Sequence, residues 1–272
     1  MNHYRKPVVV RGAGDIATGV IQKLAHAGFA VYVVEVARPT AIRRMAALSE
    51  AIFDGKKQVE DLVGIRVNDV SEARAAIEDG LIPLFVDPEL TSLQSIEPLA
   101  VVDAVIAKRN IGLSRELAPI TIALGPGFEA GHDCDAVIET MRGHDLGKVI
   151  YDGFTMKNTG IPGPVGGYTL ERVVRAPHAG KIRSDRQIGE IIRVGETLLY
   201  VDETPVAAPI SGVIRGLLRD GFEVTKGFKS ADIDPRIDEQ KNCYTISDKA
   251  RALGGGVVDA LFFLMQQKGL LP

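Results

Sequence analysis

The sequence predicts an α/β protein in which a mostly parallel sheet, interleaved with helices, is followed by a small all-β module and a C-terminal helix. Three observations predict it. Short apolar runs that end in turns alternate with helical periodicity through the first part of the chain. A stretch dense in Gly and Pro, from Asn158 to Gly167, then breaks the pattern. An internal repeat with a period of 32 residues follows, built from matched glycines with β-branched residues between them.

The first element is a short buried strand at Val8-Val9-Val10. Directly after it, Gly12, Gly14 and Ala17 fit G-x-G-x-x-[G/A]. A helix follows, with Ile16, Val20, Ile21 and Leu24 at helical spacing and Gly28 where a C-terminal cap belongs. A second strand over Ala30-Val36 carries Glu35, 21 residues after Gly14. Each part has a physical reason. Gly12 permits the tight turn, Gly14 lets a pyrophosphate approach backbone N–H groups with Ala13 and Asp15 beside it, and Ala17 keeps helix and strand close. Glu35 is placed to accept hydrogen bonds from a ribose diol. Strand, turn, helix, strand and acid in this register predict a Rossmann-like nucleotide site, with a bare structural βαβ turn as the competing reading. The charge of Asp15 opposes a pyrophosphate unless it points away or holds a metal or ribose. Arg38, Arg43 and Arg44 follow the acid where a 2′-phosphate is accommodated. Arg43 and Arg44 read equally as the solvated face of a short helix.

Further along, a short strand around Gly64-Val67 precedes a helix over Ser71-Ile77. Leu81-Asp87 reads as a strand in which Pro83 is tolerable only at an edge or irregular position. Pro98-Ile106 and Thr121-Leu124 are the next apolar runs, the second ending in Gly125-Pro126-Gly127-Phe128. That turn lies at a carboxyl end of the sheet, where ligands bind in open α/β folds, so Gly125 and Gly127 join the candidate site; a rigid structural turn explains them as well. Lys108 and Arg109 face either a phosphate at this edge or solvent. Asp133 or Cys134 opens an expected short helix through Met141 that stops at Gly143.

In the repeat, Ala176-Pro177 recurs as Ala208-Pro209, Gly180 as Gly212, Gly189 as Gly221, and Gly195 as Gly227. The pattern over residues 173–232 resembles the biotinyl/lipoyl domain, a barrel-sandwich hybrid of two quasi-symmetric halves. Carrier domains of that kind place their modified lysine on the hairpin between halves. Here that hairpin is Tyr200-Val206 and has no lysine, so neither biotin nor lipoate is expected. Beyond it, Cys243-Ser247 reads as a strand, and Gly254-Gly255-Gly256 precede an apolar helix. Those glycines serve either an anion at a helix N-terminus or close packing on the first domain.

Composition sets the outer bounds. With 272 residues, 46% apolar, 25% charged and net charge −3, the chain has room for two domains and no basic balance that points to nucleic acid. No apolar run reaches the ~18 residues of a membrane span, and the N-terminal residues are not expected to form a leader. Cys134 and Cys243 form no ligand-spaced pair and read as free cytoplasmic thiols. His132, Asp133, Cys134, Asp135 and His144 offer donor atoms, but at no standard spacing, so no metal site is expected. There is no G-x-S-x-G elbow, H-E-x-x-H or Walker lysine, and no catalytic residue is nominated.

Several segments together resemble a family of selenium-dependent molybdenum hydroxylase accessory proteins. They are residues 11–19, 39–44, 49–55, 107–110, 124–128, 139–147 and 246–256. The resemblance implies a cytoplasmic maturation factor whose partner is a molybdenum hydroxylase and which handles the molybdenum cofactor or its selenium/sulfur ligand. It implies no catalytic residue. The expected cofactor is NAD(P) or another nucleotide-bearing cofactor, including one of molybdopterin type. An NAD(P)-dependent oxidoreductase and a non-catalytic docking scaffold are the alternatives. The expected organisation is a Rossmann-like domain over 1–158, a linker over 159–172, a barrel-sandwich module over 173–235, and a strand and helix over 236–272 that pack on the first domain.

Overall fold

The computed structural model describes residues 4–271; residues 1–3, part of the stretch expected to form no leader, and residue 272 lie outside the described residues. The chain divides into two units. One comprises Met1–Pro39, Ala47–Thr159 and Ile246–Pro272, the other Thr40–Ala46 and Gly160–Thr245. The division differs from the expected boundaries at three places. The expected linker over residues 159–172 is divided, Thr159 going to the first unit and residues 160–172 to the second. Residues 40–46 leave the first domain for the second unit, and residues 236–245 stay with the second unit, so the return begins at Ile246.

In the first unit, β1 (Tyr4–Arg11), α1 (Asp15–His26) and β2 (Phe29–Glu35) come in the predicted order. They are followed by α2 (Ala51–Asp54), β3 (Lys56–Val59), β4 (Leu62–Arg66), α3 (Val70–Glu78) and β5 (Ile82–Val86). Next come α4 (Leu93–Ile96), β6 (Ala100–Asp103), β7 (Ile120–Leu124), β8 (Glu129–Ala130), β9 (Ala136–Ile138), β10 (Val149–Ile150) and β11 (Gly153–Phe154). The 20-residue helix α5 (Asp248–Gln267) closes the unit. Among the described residues nine strands form one sheet in the order β10-β9-β7-β6-β1-β2-β5-β4-β3. It is parallel throughout except for its two outermost pairs, β10 with β9 and β3 with β4. This is the mostly parallel α/β sheet that alternating strands and helices predict.

Alternation along the central strands divides the core. Val8, Val10, Val31 and Val33 pack with Val20, Leu24, Leu253, Val257 and Leu261 of α1 and α5. Val9, Tyr32, Val34, Val101 and Phe128 form the core of the opposite face. Each such fully buried aliphatic side chain contributes about 1.5–3 kcal/mol. Helices α1 and α5 approach closely. A Cβ on Gly19 would lie 2.6 Å from the Ala250 Cβ, and one on Gly254 would lie 2.6 Å from the Gly19 carbonyl oxygen.

Four local expectations are corrected. The helix expected from Asp133 to Met141 is absent. Ala136–Ile138 is instead a strand, drawn into the sheet by parallel pairing with β7, and Asp133 Oδ2 accepts the Glu129 N–H at 2.8 Å inside a turn. Cys243-Ser247 is not a strand, because a 3-10 helix runs over Ile237–Tyr244 and Ser247 caps α5 by accepting the Ala250 N–H at 3.2 Å. Gly254-Gly256 lie inside α5, so they offer no N–H groups to an anion; Gly254 and Gly256 serve close packing, and Gly255 faces open space. Pro83 lies in an interior strand, between β2 and β4. Because Leu84 O accepts the Val67 N–H at 3.0 Å, Pro83 turns toward β2, whose pairing with β5 begins one residue later at Val33↔Leu84.

The second unit holds β12 (Val173–Arg175), β13 (Gly180–Arg183), β14 (Ile191–Ile192), β15 (Thr197–Val201), β16 (Thr204–Ala207), β17 (Gly212–Leu217), β18 (Glu223–Val224) and β19 (Lys229–Asp234). They form two four-stranded sheets, β12-β19-β17-β14 and β16-β15-β13-β18. The repeat maps the first onto the second strand for strand. β13 corresponds to β17, β14 to β18 and β15 to β19, and each sheet takes two strands from each copy. The matched turn glycines Gly195 and Gly227 have φ of +85° and +82°. Residues 40–46 belong here because Leu217 N–H donates to Ile42 O at 2.8 Å and Arg44 Nε to Leu217 O at 3.1 Å.

Candidate functional site

Strand order fixes where a ligand would meet the sheet. After β2 and β5 have been laid on one side of β1, the chain crosses to the other side for β6 and β7. The carboxyl ends of β1 and β6 therefore flank a topological switch point, where open α/β sheets form a crevice. The Gly12–Ala17 segment begins there.

Hydrogen bonds define the turn. Gly12 has φ +97°, a conformation that L side chains rarely adopt, and its N–H donates to Val34 O at 2.8 Å. The Ala13 N–H donates to Glu35 Oε2 at 2.8 Å, and the other carboxylate oxygen accepts the Val36 N–H at 2.8 Å. Ala13 O accepts the Ser49 N–H at 2.9 Å. Thr18 fixes the other side of the turn, donating from Oγ1 to Gly14 O at 2.9 Å and accepting the Leu48 N–H at 3.0 Å. Ala17 is wholly buried, as close helix–strand packing requires. Burial raises the Glu35 carboxyl above its ordinary value, against the lowering effect of the two N–H donors.

Gly14 differs from Gly12. It is the N-cap of α1 with φ −63° and ψ 179°, an ordinary extended conformation. A Cβ placed on it would meet nothing within 4 Å. Having no side chain, Gly14 leaves the first turn of α1 without a side-chain cap. Asp15, in that first turn, has the Lys249 ammonium as an electrostatic neighbour. Burial and then Arg142 lower the Lys249 pKa, while Asp15, Glu139 and Asp248 work against them.

Two further segments meet the turn. Arg11 gathers the loops after β5 and β6, donating to Pro88 O and Ile111 O at 3.0 Å each, with Asp103 at 3.4 Å. Burial raises the Asp103 carboxyl above its ordinary value, although the Val105 N–H and Arg11 lower it. The loop after Asp103 packs on Gly12, since a Cβ there would lie 3.2 Å from Val105 N. Farther along, the same loop packs on Gly127 (φ +107°), where a Cβ would overlap the backbone of Arg109 and Lys108. Ile106 and Lys108 hold φ of +58° and +63°. Such left-handed conformations cost on the order of 1–2 kcal/mol each in non-glycine residues and persist only where packing enforces them. Gly125 (φ +80°) packs on Thr140, 2.8 Å from its Oγ1 to the Cβ position, and its N–H donates to Ile138 O at 2.9 Å.

Of the residues expected at the site, Gly12, Ala13, Gly14, Asp15, Ala17 and Glu35 thus come together around one turn. The Gly125–Gly127 turn joins them through the 104–109 loop. Arg43 belongs to the second unit, where it is buried and its Nη2 donates to Asn242 O and Thr245 O at 3.2 and 3.3 Å. It braces main-chain carbonyls there. Sequence reasoning missed the Arg11–Asp103 pair, although Asp103 ends an apolar run just as Glu35 does. It also missed a cleft of about 430 Å³ beyond β4 and β5, lined by Arg66, Asn68, Asp69, Asp87, Ser92 and Ser95 among others. Burial acts to raise the Asp87 pKa, but hydrogen bonds from Ser92 and Thr91 outweigh it and hold the carboxyl low.

Among the described residues no group of three His, Cys, Asp or Glu side chains is arranged to hold a metal ion. Cys134 donates to Ala136 O at 3.3 Å, and Asp135 takes Lys268 at 2.9 Å and Arg115 at 3.1 Å. No helix among the described residues is long and apolar enough to cross a membrane.

No protein-family model matches the chain. It is 50% identical over 260 residues to the uncharacterized protein YqeB of Escherichia coli K12, across 96% of this chain and 48% of that protein. The chain is thus similar to that protein along nearly its whole length, and it spans about half the length of that relative. Among solved structures, a succinylglutamate desuccinylase from Silicibacter sp. TM1040 aligns at 12% identity over 85% of each chain, with a TM-score of 0.24. The ectoine utilization protein EutE from Ruegeria pomeroyi aligns at 12% identity over 85% of this chain and 86% of its own, with a TM-score of 0.26.

Proposed function

We propose that this protein is a cytoplasmic accessory factor in the maturation of a selenium-dependent molybdenum hydroxylase, and that it holds a nucleotide-bearing ligand at the β1–α1 turn. The ligand is NAD(P) or a cofactor of molybdopterin type, and the work is handling of the molybdenum cofactor or its selenium/sulfur ligand.

One observation carries the site. Gly14 needs to be glycine neither for its backbone conformation nor for its contacts, yet it stands at the switch point with open space before it. A missing side chain there suits close approach of a ligand phosphate to the backbone. Glu35 supports the same reading. Its two oxygens each accept one N–H, and a carboxylate has about four lone-pair sites, so ribose hydroxyls can still donate to it. The maturation role rests on the segmental resemblance, since a fold of this class hosts many chemistries. The second unit, with its matched halves and lysine-free hairpin, fits a biotinyl/lipoyl-like barrel-sandwich that docks and carries no prosthetic group.

Deletion in a host that makes such a hydroxylase tests the role. The hydroxylase polypeptide is expected to accumulate without labile selenium or complete cofactor, and to be inactive. Fully active, selenium-loaded hydroxylase from the deletion strain would refute the proposal. Turnover of a small metabolite with NAD(P)H by the purified protein would favour an oxidoreductase instead.

A further inference from the structure

The loop from Ala104 to Asn110 is built as a rigid bracket. At its start, Ala104 N–H donates to Arg11 O at 2.9 Å and Val105 N–H to Asp103 Oδ1 at 3.1 Å. At its end, Asn110 Oδ1 accepts the N–H groups of Gly112 and Leu113 at 2.9 and 2.8 Å, and its Nδ2 donates to Leu113 O at 2.9 Å. Between these anchors the backbone lies against Gly12 at one end and Gly127 at the other. What the bracket presents is Lys108 and Arg109. Both are exposed, and neither forms a hydrogen bond or ion pair among the described residues.

The two acids that border the loop have other partners. Asp103, at the foot of the loop, is paired with Arg11, and Asp133, beyond Asn110, is engaged by the Glu129 N–H. Position matters as much as charge. In the sheet, β2 with Glu35 lies on one side of β1, while β6 and β7, whose ends carry the bracket and Gly127, lie on the other. The two cations therefore stand across the turn from the acid.

We propose that Lys108 and Arg109 bind an anionic group, phosphate or carboxylate, of a ligand that lies on the opposite side of the β1–α1 turn from Glu35. The proposal takes the nature of its ligand from the nucleotide reading and extends it. The anion belongs either to the far half of the same cofactor or to a separate acidic ligand.

The test compares wild type with Lys108→Ala/Arg109→Ala in calorimetric titrations with NADH and AMP. A second measurement is acylation of lysines with and without pyrophosphate, read by mass spectrometry. Lys56, also exposed, is the internal reference. A loss of tenfold or more for NADH with less than threefold for AMP, which lacks the second phosphate, supports the pair and assigns the anion to the cofactor's far half. Unchanged nucleotide affinity with pyrophosphate protecting Lys108 over Lys56 supports it and assigns the anion to a separate ligand. Unchanged affinity together with equal labelling of Lys108 and Lys56 overturns it. Wild type that binds neither nucleotide but shows protected Lys108 keeps the pair and discards the nucleotide reading.

Discussion

The Glu35 carboxylate accepts the Ala13 N–H at 2.8 Å, so the acid that ends β2 also fastens the turn that follows β1. One side chain couples the geometry of the turn to the protonation of a half-buried carboxyl. Its raised pKa then has a defined effect on stability. The folded protein keeps the Glu35 proton at a pH where the unfolded chain has released it. This group's stabilisation is therefore complete below the ordinary carboxylate range and is lost as pH rises through the raised folded value. Melting temperatures of wild type and Glu35→Gln, measured from acid to neutral pH, should diverge in favour of the variant as pH rises. A difference that stays flat with pH would contradict this.

Gly14 and Gly127 should respond oppositely to substitution. A Cβ on Gly14 meets nothing within 4 Å and the backbone there is ordinary, so the melting temperature of Gly14→Val should stay near wild type while NAD(P) or ADP binding is lost. Gly127→Ala forces a Cβ into the Arg109 backbone at φ +107° and should cost about 1–3 kcal/mol. Denaturant unfolding and calorimetry on both variants check the contrast. Equal nucleotide affinity in wild type and Gly14→Val would remove the site from this turn.

Three consecutive glycines inside α5 are not equivalent. Gly254→Ala pushes a methyl group to 2.6 Å from Gly19 O and should destabilise by about 1–3 kcal/mol. Gly255→Ala is exposed with open space and should stabilise by about 0.5–1 kcal/mol, because glycine is a poor residue for a helix interior. Urea unfolding of the two variants gives the signs directly.

Both cysteines should be silent in the native protein. Burial, then Asp133 and Asp135, push the Cys134 thiol up to about 12, and burial raises that of Cys243. Neither side chain exceeds 1% exposure. A thiol reagent at pH 8 should find no reactive group until denaturant is added, and then two. Rapid modification of either thiol under native conditions would place it differently.

Much of this was readable from the chain because the signals were local. The Val8–Glu35 unit announces itself through periodicity and glycine spacing, and the helix expected over residues 71–77 lies within Val70–Glu78. The 32-residue repeat likewise maps onto matched strands, since each turn must be made twice. What escaped depends on distant partners. Ala136–Ile138 follows a capping signal at Asp133, yet pairing with β7 overrides it. Gly254 looks like a helix boundary until Gly19 is known to face it. Arg43 follows the acid of the second strand in sequence but serves carbonyls of residues 242 and 245. In the site, Gly12, Gly14 and Glu35 were legible as a motif. The bracket that presents Lys108 and Arg109 was not, because it rests on contacts with glycines in two other segments.

The exchange of strands between the two copies of the repeat has a kinetic consequence. Neither copy can complete a sheet from its own residues, since β19 and β17 must lie between β12 and β14, and β15 and β13 between β16 and β18. A nascent chain that has emitted only the first copy holds half-sheets with open edges, and productive pairing waits for residues synthesised later. Loop closure across the whole module then precedes most of its favourable contacts, which slows folding. The second unit should mature late and all at once, and a chain truncated between the copies should aggregate through those edges.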